Sequence, residues 1–446
     1  MTTQSIAETA LPTIYALASG HGKAGVAVFR ISGPNAASVL PALGHTAPLS
    51  PRMASLVTLR QPTGAMLDQA LALFFPGPHS FTGEDVLELH THGSRAVIDL
   101  LLATLAALPG LRLAEPGEFA RRAYSNAKFD LLAAEGLGDL IDAETPAQHT
   151  QALRQLSGDS SRTLEALRES ILNPLALLEA YIDFPDEDIP EATLQEVKQQ
   201  VGALQAELVR YLADGSVGEL IRDGLEIVIL GPPNAGKSSL LNALARREAA
   251  IVSETAGTTR DLIEVHLNLD GYAAILVDTA GLREADGVEG EGIRRARERA
   301  ARASLKLLVL DINSAAQQYR DFQALHDEST LLVWNKSDEG TLPPSLPAGL
   351  VISTRTGAGI AALTDALRQA IHARVDAAPT PLITRARHRE AFARAHEALQ
   401  RFSPDTPLEF MCEELRVAAQ ALGKITGKIA PDDLLDVVFR RFCIGK

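Results

Sequence analysis

The 446-residue chain is 46% hydrophobic and 22% charged, an ordinary globular mix with material for about two to four domains. Aromatic residues make up only 4%, so its cores must be built from Leu, Ala and Val, which favours helices. A formal net charge of −14 argues against nucleic-acid binding by bulk phosphate neutralisation; any RNA contact needs a local patch or a partner's help.

Cys412 and Cys443 are too few for a disulfide framework and are not spaced as a zinc ribbon, which fits a reducing, cytoplasmic setting. Met1–Ala10 has neither the basic nor the apolar part of a secretory signal. No apolar run approaches the length of about 18 residues that suggests a membrane span, so no membrane association is expected. The tetrapeptide Cys443-Ile444-Gly445-Lys446 has the length of a prenylation box, but Gly445 is not aliphatic and Lys446 is not a usual last residue.

In chain order, residues 1–126 mix short β-rich runs with Gly/Pro turns. Ala24–Ile31 and Gln69–Phe75 read as strands, and Ser94–Leu108 reads as a helix stopped by Pro109-Gly110, giving an α+β domain. Residues 127–222 are Leu/Ala/Glu/Gln-rich with helical periodicity, the first half of a helical domain. They are broken at Asp183–Pro190, an acidic stretch that reads as a solvated inter-helix turn because it lacks the Gly and closing Glu of a calcium loop. Residues 223–383 alternate apolar strands with helices. Leu225–Leu230, Ala273–Val277, Lys306–Leu310, Leu331–Trp334 and Leu350–Ile352 are short apolar runs, as buried parallel strands are. Residues 384–446 return to helix, the second half of the helical domain. The expected fold is therefore multidomain: an N-terminal α+β domain and a helical domain into which a P-loop α/β domain is inserted.

Gly231-Pro232-Pro233-Asn234-Ala235-Gly236-Lys237-Ser238 matches the phosphate-binding loop, and it sits between a predicted strand and a predicted helix, as the motif requires. Backbone N–H groups freed by the glycines wrap phosphates at a helix N-terminus, to which Ser239 also belongs. Lys237 is expected to reach the β- and γ-phosphates, and the Ser238 hydroxyl to ligate Mg2+. Asp278-Thr279-Ala280-Gly281 ends the next strand, with a carboxylate suited to Mg2+ and a glycine N–H suited to the γ-phosphate. Asn335-Lys336-Ser337-Asp338 ends a later strand. Asp338 can accept from guanine N1–H and the 2-amino group, a donor pair adenine lacks, while Lys336 lies against the base. Ser353-Thr354-Arg355 would be a fifth element, contacting the base mostly through backbone.

Gly257-Thr258-Thr259-Arg260-Asp261 falls where the first switch of such a domain belongs, with Thr259 as second Mg2+ ligand and Thr258 near the phosphates. After Gly281 comes Leu282, where many GTPases place a water-orienting Gln. A leucine cannot hydrogen-bond water, so Glu289 or Glu291 are the carboxylate candidates, against the plainer reading of an exposed acidic loop. His90 and His92, two apart on a predicted strand, share a face; without a third ligand a structural role is preferred to metal binding.

Beyond these motifs the chain closely resembles the MnmE (TrmE) family of tRNA-modification GTPases over nearly its full length. The likeness includes Phe29–Gly33, Phe75–Asp85, Pro116–Phe119, the Gly257–Asp261 switch, Leu422–Gly427 and the tail Phe442-Cys443-Ile444-Gly445-Lys446. The resemblance implies a homodimer working with the flavoprotein MnmG, which supplies FAD, to install an aminomethyl or carboxymethylaminomethyl group on C5 of the wobble uridine of certain tRNAs. The one-carbon unit comes from a tetrahydrofolate derivative, 5-formyl- or methylene-. GTP hydrolysis to GDP in this family is accelerated by K+. It implies Asn234, Ser253, Thr255 and Thr258 as K+ ligands and Glu289 as the residue orienting water. It implies Arg30, Glu88, Lys128 and Lys446 as the folate site, with Arg30 and Lys128 on the glutamyl carboxylates and Glu88 on the pterin. It places Cys443 near that site with a role in the modification. The alternative is a ribosome-assembly switch, because the α/β segment alone resembles Era- and Der-type GTPases.

Overall fold

The computed structural model describes residues 11–20, 22–183, 191–247, 264–278, 303–376, 381–403, 405–428, 432–440 and 442–445. The chain divides into two compact units, one of residues 1–138, 156–161 and 423–446, the other of 139–155 and 162–422.

In the first unit, strands β1 (Thr13–Leu17), β2 (Ala24–Ser32), β3 (Ser55–Arg60), β4 (Met66–Phe75), β5 (Val86–Gly93) and β6 (Leu111–Leu113) form one sheet in the order β3-β4-β5-β2-β1-β6. Period-two alternation decides its faces. Phe29 and Ile31 on β2 and Leu87 and Leu89 on β5 are buried in one core with Leu101 and Leu105 of the helix Arg95–Ala106. Residues between them, such as Arg30 and Glu88, fall on the other face. Ser94 caps that helix, its hydroxyl accepting from Val97 N–H at 3.3 Å. The chain's far end packs into this same unit. Arg121 pairs with Asp436 at 2.7 Å, and Phe439 and Phe442 share a core with Ala120 and Leu131.

The second unit carries a mixed sheet. Its strands are β7 (Leu225–Leu230), β8 (Glu264–Leu269), β9 (Tyr272–Asp278), β10 (Leu305–Asp311), β11 (Thr330–Asn335) and β12 (Leu350–Val351), in the order β12-β11-β10-β7-β9-β8. All neighbours are parallel except the edge pair β8–β9. The apolar runs arise because both faces are covered. Ile227, Ile229, Leu307 and Val309 enter one core, while Val228, Leu230, Leu308 and Leu310 enter another with Trp334. Each such burial is worth about 1.5–3 kcal/mol, which pins the carboxyl ends of the strands where the loops begin.

The helices before and after this α/β segment pack on each other. Tyr211 of the helix Glu191–Asp223 meets Phe392 of the helix Ala386–Arg401 edge-on at 5.6 Å. Arg389 pairs with Glu219 at 2.6 Å, and Arg416 with Glu179 at 2.7 Å. The architecture is thus multidomain, helical plus α/β, as the periodicity implies. Among the described residues no helix is long and apolar enough to cross a membrane. The acidic break lies outside the described residues beyond Asp183.

Candidate functional site: a phosphate loop and a base-reading edge

The carboxyl ends of β7, β9, β10 and β11 lie side by side, Ile229 opposite Asp278 and Asp311 opposite Asn335. In parallel α/β sheets this edge is where ligands bind. The loop from β7 turns into the helix Lys237–Arg247 through three positive φ angles, at Gly231 (139°), Asn234 (62°) and Gly236 (95°). A Cβ on Gly231 would run into the Val309 carbonyl, and one on Gly236 into the Asn335 amide, so both positions demand glycine twice over. Asn234 is among the few side chains that accept the left-handed region readily. Ala235 is fully buried, and Ser239 lies exposed in the helix's first turn. Lys237 is 7% exposed, and its Nζ donates back to the Pro232 carbonyl at 2.9 Å, which holds the ammonium inside the loop.

Ser238 and Asp278 come from different elements and meet. The hydroxyl donates to Asp278 Oδ2 at 2.5 Å, and Asp278 is 1% exposed. Two hard oxygens converging at the mouth of a phosphate loop fit Mg2+, which takes oxygen ligands beside substrate phosphates.

Asn335 is fully buried and joins three motifs. Its Nδ2 donates to the Ala235 carbonyl at 2.8 Å, and its Oδ1 accepts from Thr354 N–H at 3.2 Å. Lys336 adopts φ 66° and reaches Asp311 Oδ2 at 2.6 Å. Burial alone would raise the Asp311 carboxyl, but the Lys336 ammonium and the Asn313 N–H outweigh it and hold it below the usual range. Ser353, fully buried, donates its hydroxyl to Asp338 Oδ1 at 2.5 Å, and the Arg355 guanidinium pairs with Oδ2. The Ser353 hydroxyl foremost, then the Asp338 backbone N–H and the Arg355 charge, outweigh desolvation and hold the Asp338 carboxyl below its usual range. The edge therefore carries a carboxylate at Asp338 and, at the loop, an ammonium beside a helix N-terminus.

Asp311 carries no sequence motif of its own. A lone carboxylate after a strand forms no motif, although its place at the end of the apolar run Lys306–Leu310 marks it as facing this edge. Ser253, Thr255, Gly257, Thr258, Thr259, Thr279, Ala280, Gly281, Leu282, Glu289, Glu291 and Lys446 lie outside the described residues.

In the first unit, register sets Arg30 on β2 directly opposite Glu88 on β5, and they pair at 3.0 Å. The guanidinium lies 4.9 Å from the Phe81 ring centre, a cation–π contact. Lys128 Nζ donates to the Pro78 carbonyl at 2.8 Å. Arg30 and Lys128 thus touch the same loop, residues 76–85. The structure joins in one ion pair two residues that the resemblance assigns to opposite ends of a folate. His90 Nε2 lies 3.4 Å from Glu88, and His92 Nδ1 bonds Asp68 at 2.8 Å, so each histidine has its own carboxylate. Cys443 is exposed in a tail seated by Phe442, which packs on Gly138, and by Gly445, which packs on Leu17 and Ala18. The buried Cys412 has its thiol pushed up to about 11 by desolvation, the wrong environment for thiolate chemistry.

A phosphate loop between a parallel strand and a helix, with the carboxylate of Asp338 following the strand two places away, fits a P-loop GTPase domain within a larger chain. Two family descriptions match, "GTP-binding protein TrmE N-terminus" over residues 13–128 and "MnmE helical domain" over 131–443. A tRNA modification GTPase MnmE of Parvibaculum lavamentivorans is 50% identical, covering 98% of this chain and 100% of that protein. Proteins of the same name from Paramagnetospirillum magneticum and Rhodospirillum rubrum are 50% and 49% identical, each covering 97% of this chain and 99% of the relative. The chain belongs to the MnmE family of tRNA modification GTPases.

Proposed function

We propose that this chain is a K+-dependent GTPase which, with an MnmG-type flavoprotein, adds an aminomethyl or carboxymethylaminomethyl group to C5 of wobble uridine in certain tRNAs. The one-carbon unit comes from a tetrahydrofolate derivative, and FAD enters only through the partner. The carrying observation is the Arg30–Glu88 pair beside Phe81, with Lys128 on the same loop, in a chain that also holds a GTPase site. A ribosome-assembly switch needs no folate site, so this cluster favours the modification reading. The functional domains in this reading are 1–126, which binds folate and dimerises, 127–222 with 384–446, and the inserted G domain 223–383.

The roles divide by chemistry. Lys237 and the loop N–H groups from Asn234 to Ser239 hold the phosphates, with Thr279, Ala280 and Gly281 toward the γ-phosphate. Ser238 and Thr259 would hold Mg2+, which would supply positive charge against the phosphates. Asn234, Ser253, Thr255 and Thr258 would hold K+, which would supply the kind of positive charge that an arginine finger supplies elsewhere. Glu289 orients water in place of a glutamine. Asp338 reads guanine, flanked by Lys336 and the Ser353–Arg355 backbone. Arg30, Glu88, Lys128 and Lys446 take the folate, with Cys443 beside them. The setting is cytoplasmic.

Nucleoside mass spectrometry of tRNA from cells lacking this chain tests the whole reading: C5-modified wobble uridines are expected to disappear, and unchanged wobble uridines would sink it. Calorimetry with 5-formyl-tetrahydrofolate tests the N-terminal site. Arg30→Ala is expected to weaken binding at least about 10-fold, since a charge-assisted contact is worth about 1.5–3 kcal/mol. Equal affinity in that variant removes Arg30 from the site.

A further inference from the structure

We propose that Arg355 is a built-in competitor for guanine, occupying the base-reading carboxylate whenever the site is empty and so setting how fast nucleotide is captured. The proposal rests on the reading of Asp338 as the guanine acceptor. Asp338 offers two oxygens. In this structure Oδ1 takes the Ser353 hydroxyl at 2.5 Å, and Oδ2 takes an Arg355 guanidinium nitrogen. A guanidinium presents adjacent, coplanar N–H donors on one carbon, and so does the N1–H and 2-amino edge of guanine. The side chain therefore imitates the part of the ligand that Asp338 exists to recognise.

The two cannot be served equally by one carboxylate. Either Arg355 leaves Oδ2 when the base arrives, or it stays and its charge weakens the pull of the carboxylate on the neutral donors of the base. A second position is at hand: the other guanidinium nitrogen lies 3.9 Å from Glu339 Oε1, and Glu339 is fixed in turn by Asn313 at 3.2 Å. Arg355 can swing off Asp338 without losing a carboxylate partner. Its side chain is 71% exposed while that of Asp338 is 12% exposed, so the arginine is the mobile member. Glycines at 357 and 359, both with positive φ, hold the following turn, and Ser353 N–H donates to the Ala358 carbonyl at 2.9 Å. The loop that carries Arg355 is thereby fixed, and only the side chain has to move.

A competitor acting on the empty protein lowers the apparent affinity by the fraction of open sites, and does so equally for every ligand that needs the site. It slows capture and leaves release alone. Arg355→Ala in the full chain is therefore expected to raise the association rate of fluorescent GDP about three-fold with the dissociation rate unchanged, the size expected for an exposed pair. IDP, which lacks the 2-amino group, gains the same factor. Arg355→Lys keeps the charge but loses the planar edge, and is expected to fall between the parent and the alanine variant. An unchanged or lower association rate in Arg355→Ala overturns the proposal; a change carried by the dissociation rate overturns it too and makes Arg355 a ligand of the base instead. Asp338→Asn separates the underlying reading. Its amide donates where the carboxylate accepted, so GDP is lost and xanthosine diphosphate gained. If Asp338→Asn keeps its GDP affinity, the assignment of guanine to Asp338 fails. If the base preference switches while Arg355→Ala behaves as the parent, only the competitor fails.

Discussion

Lys237→Ala is expected to lower kcat/KM for GTP by about 100- to 10,000-fold, with at least about ten-fold of that visible as weaker GDP binding. Lys237 is the only cation in the loop Gly231–Ser238. It is 7% exposed and its Nζ is already drawn in to 2.9 Å from the Pro232 carbonyl, so little further ordering is required when phosphate arrives. A charge about 3 Å from a phosphate oxygen interacts by about 5 kcal/mol at an effective dielectric of about 20. Part of that is offset by desolvation, and part is felt only as charge develops on the transferring group. The loss therefore exceeds the cost to the ground state. Folding is not expected to suffer, because the Pro232 carbonyl freed by the change belongs to a loop that water reaches. The check is steady-state hydrolysis beside GDP titration and circular dichroism. Activity within about three-fold of the parent, in a folded protein, would show that backbone N–H groups alone carry the phosphates.

The difference between what could and could not be read in advance follows the range of the interactions. The phosphate loop, Asp278 and the Asn335–Asp338 run were legible because each is a local signal, with special residues at fixed spacing and an apolar run beside it. The strands were legible where both faces are buried, as at Leu225–Leu230. Strand β8 was not, although Glu264–Leu269 alternates cleanly; an edge strand with one wet face gives a weaker signal than a core strand. Arg30 and Glu88 read singly as ordinary surface charges, and only strand register makes them a pair. The same holds for Arg355 on Asp338 and Lys336 on Asp311, which depend on how two loops approach. Least legible was the chain's end. Residues 423–446 continue a helical pattern in sequence, yet they pack with the N-terminal unit, where the Gly117 backbone lies hard against Phe439 and Arg121 meets Asp436. No periodicity encodes a contact across about 300 residues of chain.

Asn335→Ala is expected to weaken GDP binding at least about 100-fold and to do so whichever base the nucleotide carries. The effect is expected through the two loops that Asn335 joins. That residue is fully buried, it donates to the Ala235 carbonyl at 2.8 Å and it accepts from Thr354 N–H at 3.2 Å. It therefore clamps the loop that holds phosphate to the loop that carries Ser353 and Arg355. Removing it takes the partner from a buried carbonyl, at about 1–3 kcal/mol, and from the half-buried Thr354 N–H, and opens space against Gly236. The chain answers by moving the loops apart, which misplaces the phosphate donors and the base acceptor together. Asn335→Asp tests the clamp more finely. It keeps the acceptor for Thr354 but sets a carboxylate against the Ala235 carbonyl, so its binding is expected to fall nearly as far as that of the alanine variant. Titrations with GDP and IDP should show losses of one size in either Asn335 variant, whereas Asp338→Asn shifts preference toward xanthosine diphosphate. If Asn335→Ala loses GDP but keeps IDP, then Asn335 contacts the base, and the clamp between the two loops is not its role.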